Sequence, residues 1–522
     1  MNLFSIPAFG ENECIETRTG SGTRVFVLSD VADDAFDNYR KLLEKSGFTN
    51  KEEYSIGAHR FAAYKKDSDG VFLNYFGSIR ELTVTAEDNC TYFDFADTPR
   101  DVSLTAQITQ IKLEDFGMSY VIRLTDGRFI VIDGGRDFEP DRKRLFDCLK
   151  EGSQGEKPII AAWILTHPHS DHYLCYIGFM EEYGDRVEVE RYILNFPEHD
   201  DLVHYPKLIK KDRRFKDVSA FTNIPKMWQQ IERSGGKVYI AHTGQCFSLG
   251  DASLEILTSL DDTIHRTSNV NASSIAFRME LCGQVILWGT DVSFSDSRLP
   301  EKYGEYLKSD ILQVPHHGFQ CGTAEAMMRG YDLIKPRVCL LPADEYIAYT
   351  AFCAHKESTR YLMTKVDSVE EFIAGTPQRT ITLPYSAPAT ARAEHEALYK
   401  RGQNRSGANT WVFSELNTAR ENDFVFTLIN MTHQAADVSI ELYFDDVWKM
   451  VRSIKATAAP LVVKKLNIVG DEVDGDFEYF DWLSLKKRGV PENADFAVRF
   501  LSDMPIVVSH PDHTPAYTAR DN

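Results

Sequence analysis

Residues 166–173 read THPHSDHY, and they follow directly on the apolar run Ile159–Leu165. That run is partly β-branched and ends abruptly, the pattern of a strand buried on both faces. Just after it stand His167, His169, Asp171 and His172. A turn at the end of a buried strand points several of these side chains at one spot. Neutral imidazoles and carboxylates are ligands for first-row metal ions, and zinc is the usual occupant of a mixed nitrogen and oxygen set. The bland alternative, a histidine-rich surface turn, fits the order His-x-His-x-Asp-His at a strand end poorly.

Upstream, two expected strands, Tyr120–Leu124 and Arg128–Ile132, flank the turn Thr125-Asp126-Gly127, and the second runs into Asp133-Gly134-Gly135. The glycines permit a tight exit that leaves the Asp133 carboxylate at the strand end. A helix over Arg142–Lys150 then leads to the strand that delivers the histidines. Strand, helix and strand in this order imply layered α/β architecture. Downstream, the apolar strand Val285–Leu287 ends at Asp291, and Ile311–Val314 ends at His316-His317.

A chain of 522 residues is too long for one ordinary core, so two or three domains are expected. With 58 Lys+Arg against 78 Asp+Glu the net charge is −20, which disfavours extended nucleic-acid binding. No run approaches the roughly 18 apolar residues of a membrane span, and MNLFSIPAFGENE lacks the basic start of a signal peptide. The 9 cysteines form no C-x-x-C pair, which favours reduced thiols and a cytoplasmic location.

Three domains are expected. Residues 1–95 read as a small accessory α/β domain, and Cys90–Asp101 as a linker. Residues 104–390 carry the histidine and aspartate clusters. Residues 408–522 alternate apolar and polar positions, as in Phe424, Phe426 and Leu428 or Val438, Ile440 and Leu442, and read as an antiparallel β-sandwich. Packing, self-association as a homo-oligomer and recognition of a larger ligand are all open roles for it.

The motifs VIDGG (131–135), THPHSDH (166–172), WGTD (288–291) and VPHHG (314–318) resemble those of the metallo-β-lactamase superfamily over roughly residues 104–385. That resemblance implies an α/β fold built as a four-layer αβ/βα sandwich with its metal site at strand ends. The later motifs look most like the hydrolase domain of DNA-uptake channel proteins and like phosphorylcholine esterases. It further implies His167 and His169 on one ion, Asp171 and His172 on a second, and Asp291 bridging the two. A histidine of the His316-His317 pair closes the second site, with His317 favoured. Zinc, as two ions, is the expected metal; manganese and iron are alternatives. Asp171 has a second expected task, taking a proton from the attacking water, and Asp133 is expected to orient a ligand imidazole. The diiron oxidoreductase branch of the fold carries glutamate where this chain has His169.

The chain departs from the pattern at Ser268–Ser274, where many relatives place a third histidine for the first ion. Asn271 is the candidate there, with His265 as a substitute if the loop bends back; a loop-capping role for Asn271 is an equal alternative. Lys207, Lys210, Lys211, Arg213, Arg214 and Lys216 form a basic stretch in an acidic protein. It is either a solvated face or a feature that favours a small or medium-sized anionic substrate. The expected function is a metal-dependent hydrolase acting through a metal-activated water on a phosphodiester or phosphate ester. The alternative is a binding or scaffold protein, inactive or weakly active, that keeps the fold.

Overall fold

The run that precedes the histidines forms the strand Ile159–Leu165 in the computed structural model, buried along nearly its whole length. The structure describes residues 6–9, 15–19, 22–114, 117–197, 223–267, 269–344, 357–376, 378–404, 408–417, 419, 421–430, 436–444, 453–458, 463–467, 495–510 and 512–519. The basic stretch Lys207–Lys216 lies outside them. The chain divides into two compact units. One holds 1–345 with 361–392, the other 346–360 with 393–522.

The first unit contains two facing mixed sheets. One, of eight strands, has Ile159–Leu165 near its centre, parallel to Phe129–Asp133 on one side and to Arg191–Leu194 on the other. The hairpin expected around Asp126-Gly127 joins Ser119–Arg123 to Phe129–Asp133 in antiparallel register. The second sheet, of seven strands, places Gln284–Trp288 beside Ile311–Gln313, and that strand beside Val338–Asp344, all parallel. Parallel neighbours end on the same edge of a sheet, so Asp291 and the His316-His317 pair emerge side by side.

The inner faces of both sheets share one core. Ile122, Ile132 and Ile164 from the first sheet join Phe277, Ile286, Trp288 and Leu340 from the second. The outer face of the first sheet is covered by the helices Glu139–Gly152, Ser170–Tyr183 and Ile224–Ser234, through Leu145, Phe179, Met227 and their neighbours. On the second sheet, Tyr331 of the helix Ala324–Ile334 lies beside Cys339. Helix, sheet, sheet and helix make the expected four-layer αβ/βα sandwich.

The N-terminal segment forms a six-stranded antiparallel sheet within the same unit. One face packs on the helix Ala35–Lys45 through Phe36, Tyr39 and Leu43. The other contributes Phe61, Ala63 and Phe72 to the core between the large sheets. At this junction Asn74 Nδ2 donates to the Thr243 carbonyl at 2.9 Å, and Tyr54 donates to that of Gly244 at 2.7 Å. Gly244 has φ +90°, and a Cβ on it would stand 2.2 Å from the Phe61 ring, so only glycine fits.

The second unit is antiparallel. Its strand Asp495–Ser509 pairs with Ala408–Asn417 and Ala436–Phe444 along its first half, and with Val425–Asn430 near its end. Phe413, Phe426, Ile440, Val498 and Phe500 fill the core, as the period-two pattern requires. Among the described residues no helix is long and apolar enough to cross a membrane.

The expected linker is held by charge. Arg128, 1% exposed, makes a paired contact with both Asp97 oxygens at 2.7 and 2.8 Å and also bonds Asp126 and Glu190. Removing one partner from such a buried set leaves unpaired charge, which costs about 3–5 kcal/mol. Arg128→Ala is therefore expected to lower the denaturant midpoint of the first unit markedly in the full chain. Unfolding at the wild-type midpoint contradicts the clamp.

Candidate metal centre

Each donor-bearing side chain sits at the end of a buried element. His167 and His169 occupy the extended loop after Ile159–Leu165, and Asp171 and His172 begin the helix Ser170–Tyr183. Asp291 follows Gln284–Trp288, and His316 and His317 follow Ile311–Gln313. Asp133, Thr290, His316 and His317 all adopt left-handed backbone, with φ of 54°, 48°, 49° and 56°. Non-glycine residues there cost on the order of 1–3 kcal/mol each, a cost seen mostly at functional sites. Gln313 Oε1 accepts from the Thr290 amide at 2.5 Å, and the Thr290 carbonyl accepts from the His316 amide at 2.7 Å, so the two turns brace each other.

The side chains converge. His172 Nε2 lies 3.2 Å from His317 Nε2 and 3.2 Å from Asp291 Oδ1, and His317 Nε2 lies 3.5 Å from the same oxygen and 3.4 Å from Asp171 Oδ2. On the other side of the carboxylate, Asp291 Oδ2 is 3.7 Å from His167 Nε2 and 3.8 Å from His316 Nε2. His167 Nε2 is 3.1 Å from His169 Nδ1. Two donors about 2.0–2.1 Å from one tetrahedral ion stand roughly 3.4 Å apart, so these spacings are those of a ligand set. Two triads have all donor atoms within 4.8 Å of one another: His167, His172 and Asp291, and Asp171, His172 and His317. The residues thus fit metal ions, by donor type and by spacing.

The outward nitrogens are also fixed. Asp133, fully buried, accepts from His172 Nδ1 at 2.7 Å and from the amide and hydroxyl of Thr166 at 2.8 and 2.7 Å. His317 Nδ1 donates to the Pro342 carbonyl at 3.1 Å. With Nδ1 as donor, each ring turns an Nε2 lone pair inward. Protonation agrees. Burial, reinforced by the neighbouring His172, holds His167 well below the usual imidazole range. Burial works against ionising Asp291, yet His172, His317 and His316 outweigh it and hold the carboxyl well below its usual range. Asp171 is lowered in the same way, chiefly by its hydrogen bond with His317 acting against burial. Burial opposes charge on His172, but Asp291 and Asp133 raise it.

Of the residues read from sequence, the structure gathers Asp133, His167, His169, Asp171, His172, Asp291, His316 and His317. His317 is buried against both Asp171 and Asp291, whereas the His316 side chain is 14% exposed and faces only Asp291 Oδ2 among these contacts. Asn271 sits on the tight turn Val270–Ser273, 1% exposed, with neither side-chain polar atom hydrogen-bonded. The capping role belongs instead to Asn269, whose side chain accepts from the Asn271 amide. The side chain of His265 lies outside the described residues. Sequence reasoning passed over Thr166 and the Pro342 carbonyl. Thr166 stands beside the first histidine and was open to notice, but a main-chain carbonyl leaves no sequence signal.

Buried imidazoles and carboxylates thus gather at the strand ends of an αβ/βα sandwich, a donor set that fits metal ions. Residues 113–255 match the family described as the metallo-beta-lactamase superfamily. No curated protein matches the chain. Among solved structures it is similar to the metallo-beta-lactamase fold protein YhfI from Bacillus subtilis, at 14% identity over 53% of this chain and 100% of that one, TM-score 0.32. It is also similar to CmlA, a diiron β-hydroxylase from Streptomyces venezuelae, at 12% over 55% of each chain, TM-score 0.30. A diphosphatase of the PhnP family matches at 15% over 45% of this chain and 85% of that one, TM-score 0.27.

Full-length His317→Ala, purified and analysed for bound zinc, is expected to retain less than half the wild-type metal, while His316→Ala retains most of it. The reverse order contradicts the placement of His317 between the carboxylates.

Proposed function

We propose that the chain is a metal-dependent hydrolase holding two ions, with zinc the preferred metal, and acting on a phosphodiester or phosphate ester. The observation that carries this reading is the division of Asp291, one oxygen facing His172 and His317, the other facing His167. The geometry supports a first ion on His167, His169 and Asp291, and a second on Asp171, His172, His317 and Asp291. Bound together, such ions lower the pKa of water and neutralise charge gathering on a phosphoryl oxygen.

The protein's own groups supply the rest. Asp171 is 17% exposed where Asp291 is 2%, so solvent reaches the Asp171 carboxylate. Its carboxylate, held ionised beside His317, is the group that takes a proton from the attacking water. Asp133 and Thr166 keep the imidazoles oriented. A dicationic centre favours an anionic substrate, and the basic stretch Lys207–Lys216 supports the same preference.

Chromogenic phosphodiester, phosphomonoester, thioester and lactam substrates offered to the zinc-loaded chain test the reading. Hydrolysis of a phosphate ester, abolished by a chelator, restored by zinc and reduced at least about a hundredfold in Asp291→Asn, is expected. Zinc binding with no turnover of any of the four favours the binding or scaffold role, to which Asn271 in place of an imidazole also points.

A further inference from the structure

Thr166 precedes the histidine cluster and belongs to none of the donor groups, yet its contacts link Asp133 to the ring of His167. Its hydroxyl donates to Asp133 Oδ2 at 2.7 Å and lies 3.1 Å from His167 Nδ1. A hydroxyl has one proton to give, so with that proton on Asp133 its lone pair faces the His167 ring and accepts from Nδ1. Asp133 Oδ2 in turn accepts from His172 Nδ1 at 2.7 Å. The order is therefore His167, Thr166, Asp133, His172, a hydrogen-bonded chain in which every proton has one direction. It spans two ligands that face different oxygens of Asp291. The main chain of Thr166 adds two ties. Its amide donates to Asp133 Oδ1 at 2.8 Å, and its carbonyl accepts from the Ile275 amide at 3.1 Å, just beyond the turn that carries Asn271.

We infer that Thr166 is a positioning residue for the metal centre: its hydroxyl sets the tautomer of His167 and couples that ring, through Asp133, to His172. The residue is fully buried, so nothing else replaces the lost bond. Valine keeps the shape and removes the hydroxyl, leaving His167 Nδ1 without its acceptor and Asp133 without one donor. The ring proton is then no longer held on Nδ1, and the tautomer that turns the Nε2 lone pair inward loses its preference. Serine keeps the hydroxyl and restores the chain.

The inference rests on the metal-centre reading, and its test separates the two. Zinc affinity of the full-length wild type, Thr166→Val, Thr166→Ser and His172→Ala proteins is measured by competition with a chromophoric chelator, alongside thermal melts of the metal-free forms. Losing a group that orients a ligand costs about 10- to 100-fold in metal affinity. Thr166→Val is expected to fall in that range while its metal-free melt stays near wild type, with Thr166→Ser recovering most of the affinity. A cobalt-substituted sample should show an altered ligand-field spectrum in the valine variant and a wild-type one in the serine variant. Wild-type affinity in Thr166→Val, or serine no better than valine, overturns the inference. Wild-type affinity in His172→Ala overturns the metal-centre reading itself.

Discussion

A carboxylate buried without partners is among the most costly groups a protein can hold, and Asp291 is buried almost completely. Everything near it answers that constraint. Four imidazoles and the ends of two sheets are brought to its two oxygens, and the strained left-handed turns at Thr290, His316 and His317 are retained because they place those rings. The parallel order of the strands ending at Asp291 and at His316-His317 makes this convergence a product of topology. Loop conformation adjusts only the last few ångströms.

A second level of order surrounds the donors. Asp133, Thr166 and the Pro342 carbonyl fix ring tautomers, and each comes from a different strand or the loop directly after one. Buried networks of this type are stable only when every polar group is satisfied. Asn271 departs from this: a buried amide with no hydrogen-bond partner, on the turn where many relatives place an imidazole. An unsatisfied amide in such a position is a site of asymmetry between the two halves of the centre.

Much of this was legible in the sequence because the deciding signals are local. The apolar run Ile159–Leu165 can only be a strand buried on both faces, and the ligand spacing after it leaves little choice of turn. Asp133 was legible as a strand-end carboxylate. What escaped is what depends on pairing over distance. Nothing in Cys90–Asp101 announces that Asp97 will meet Arg128, since a polar linker and a charged clamp have the same composition. The N-terminal strands offered a clue in Val71–Phe76, apolar at almost every position, which a sheet with one solvated face does not need.

The fit of Phe61 over Gly244 has a consequence of its own. The aromatic ring occupies the volume a side chain would have filled, so the N-terminal sheet acts as a wall of the sandwich and not as an arm on a tether. Excising it would strip Phe61 and Phe72 from the interior and lay open a greasy surface on the remaining fragment. A gene trimmed to the matched family segment would therefore yield sticky, poorly behaved material, whatever the integrity of its ligands.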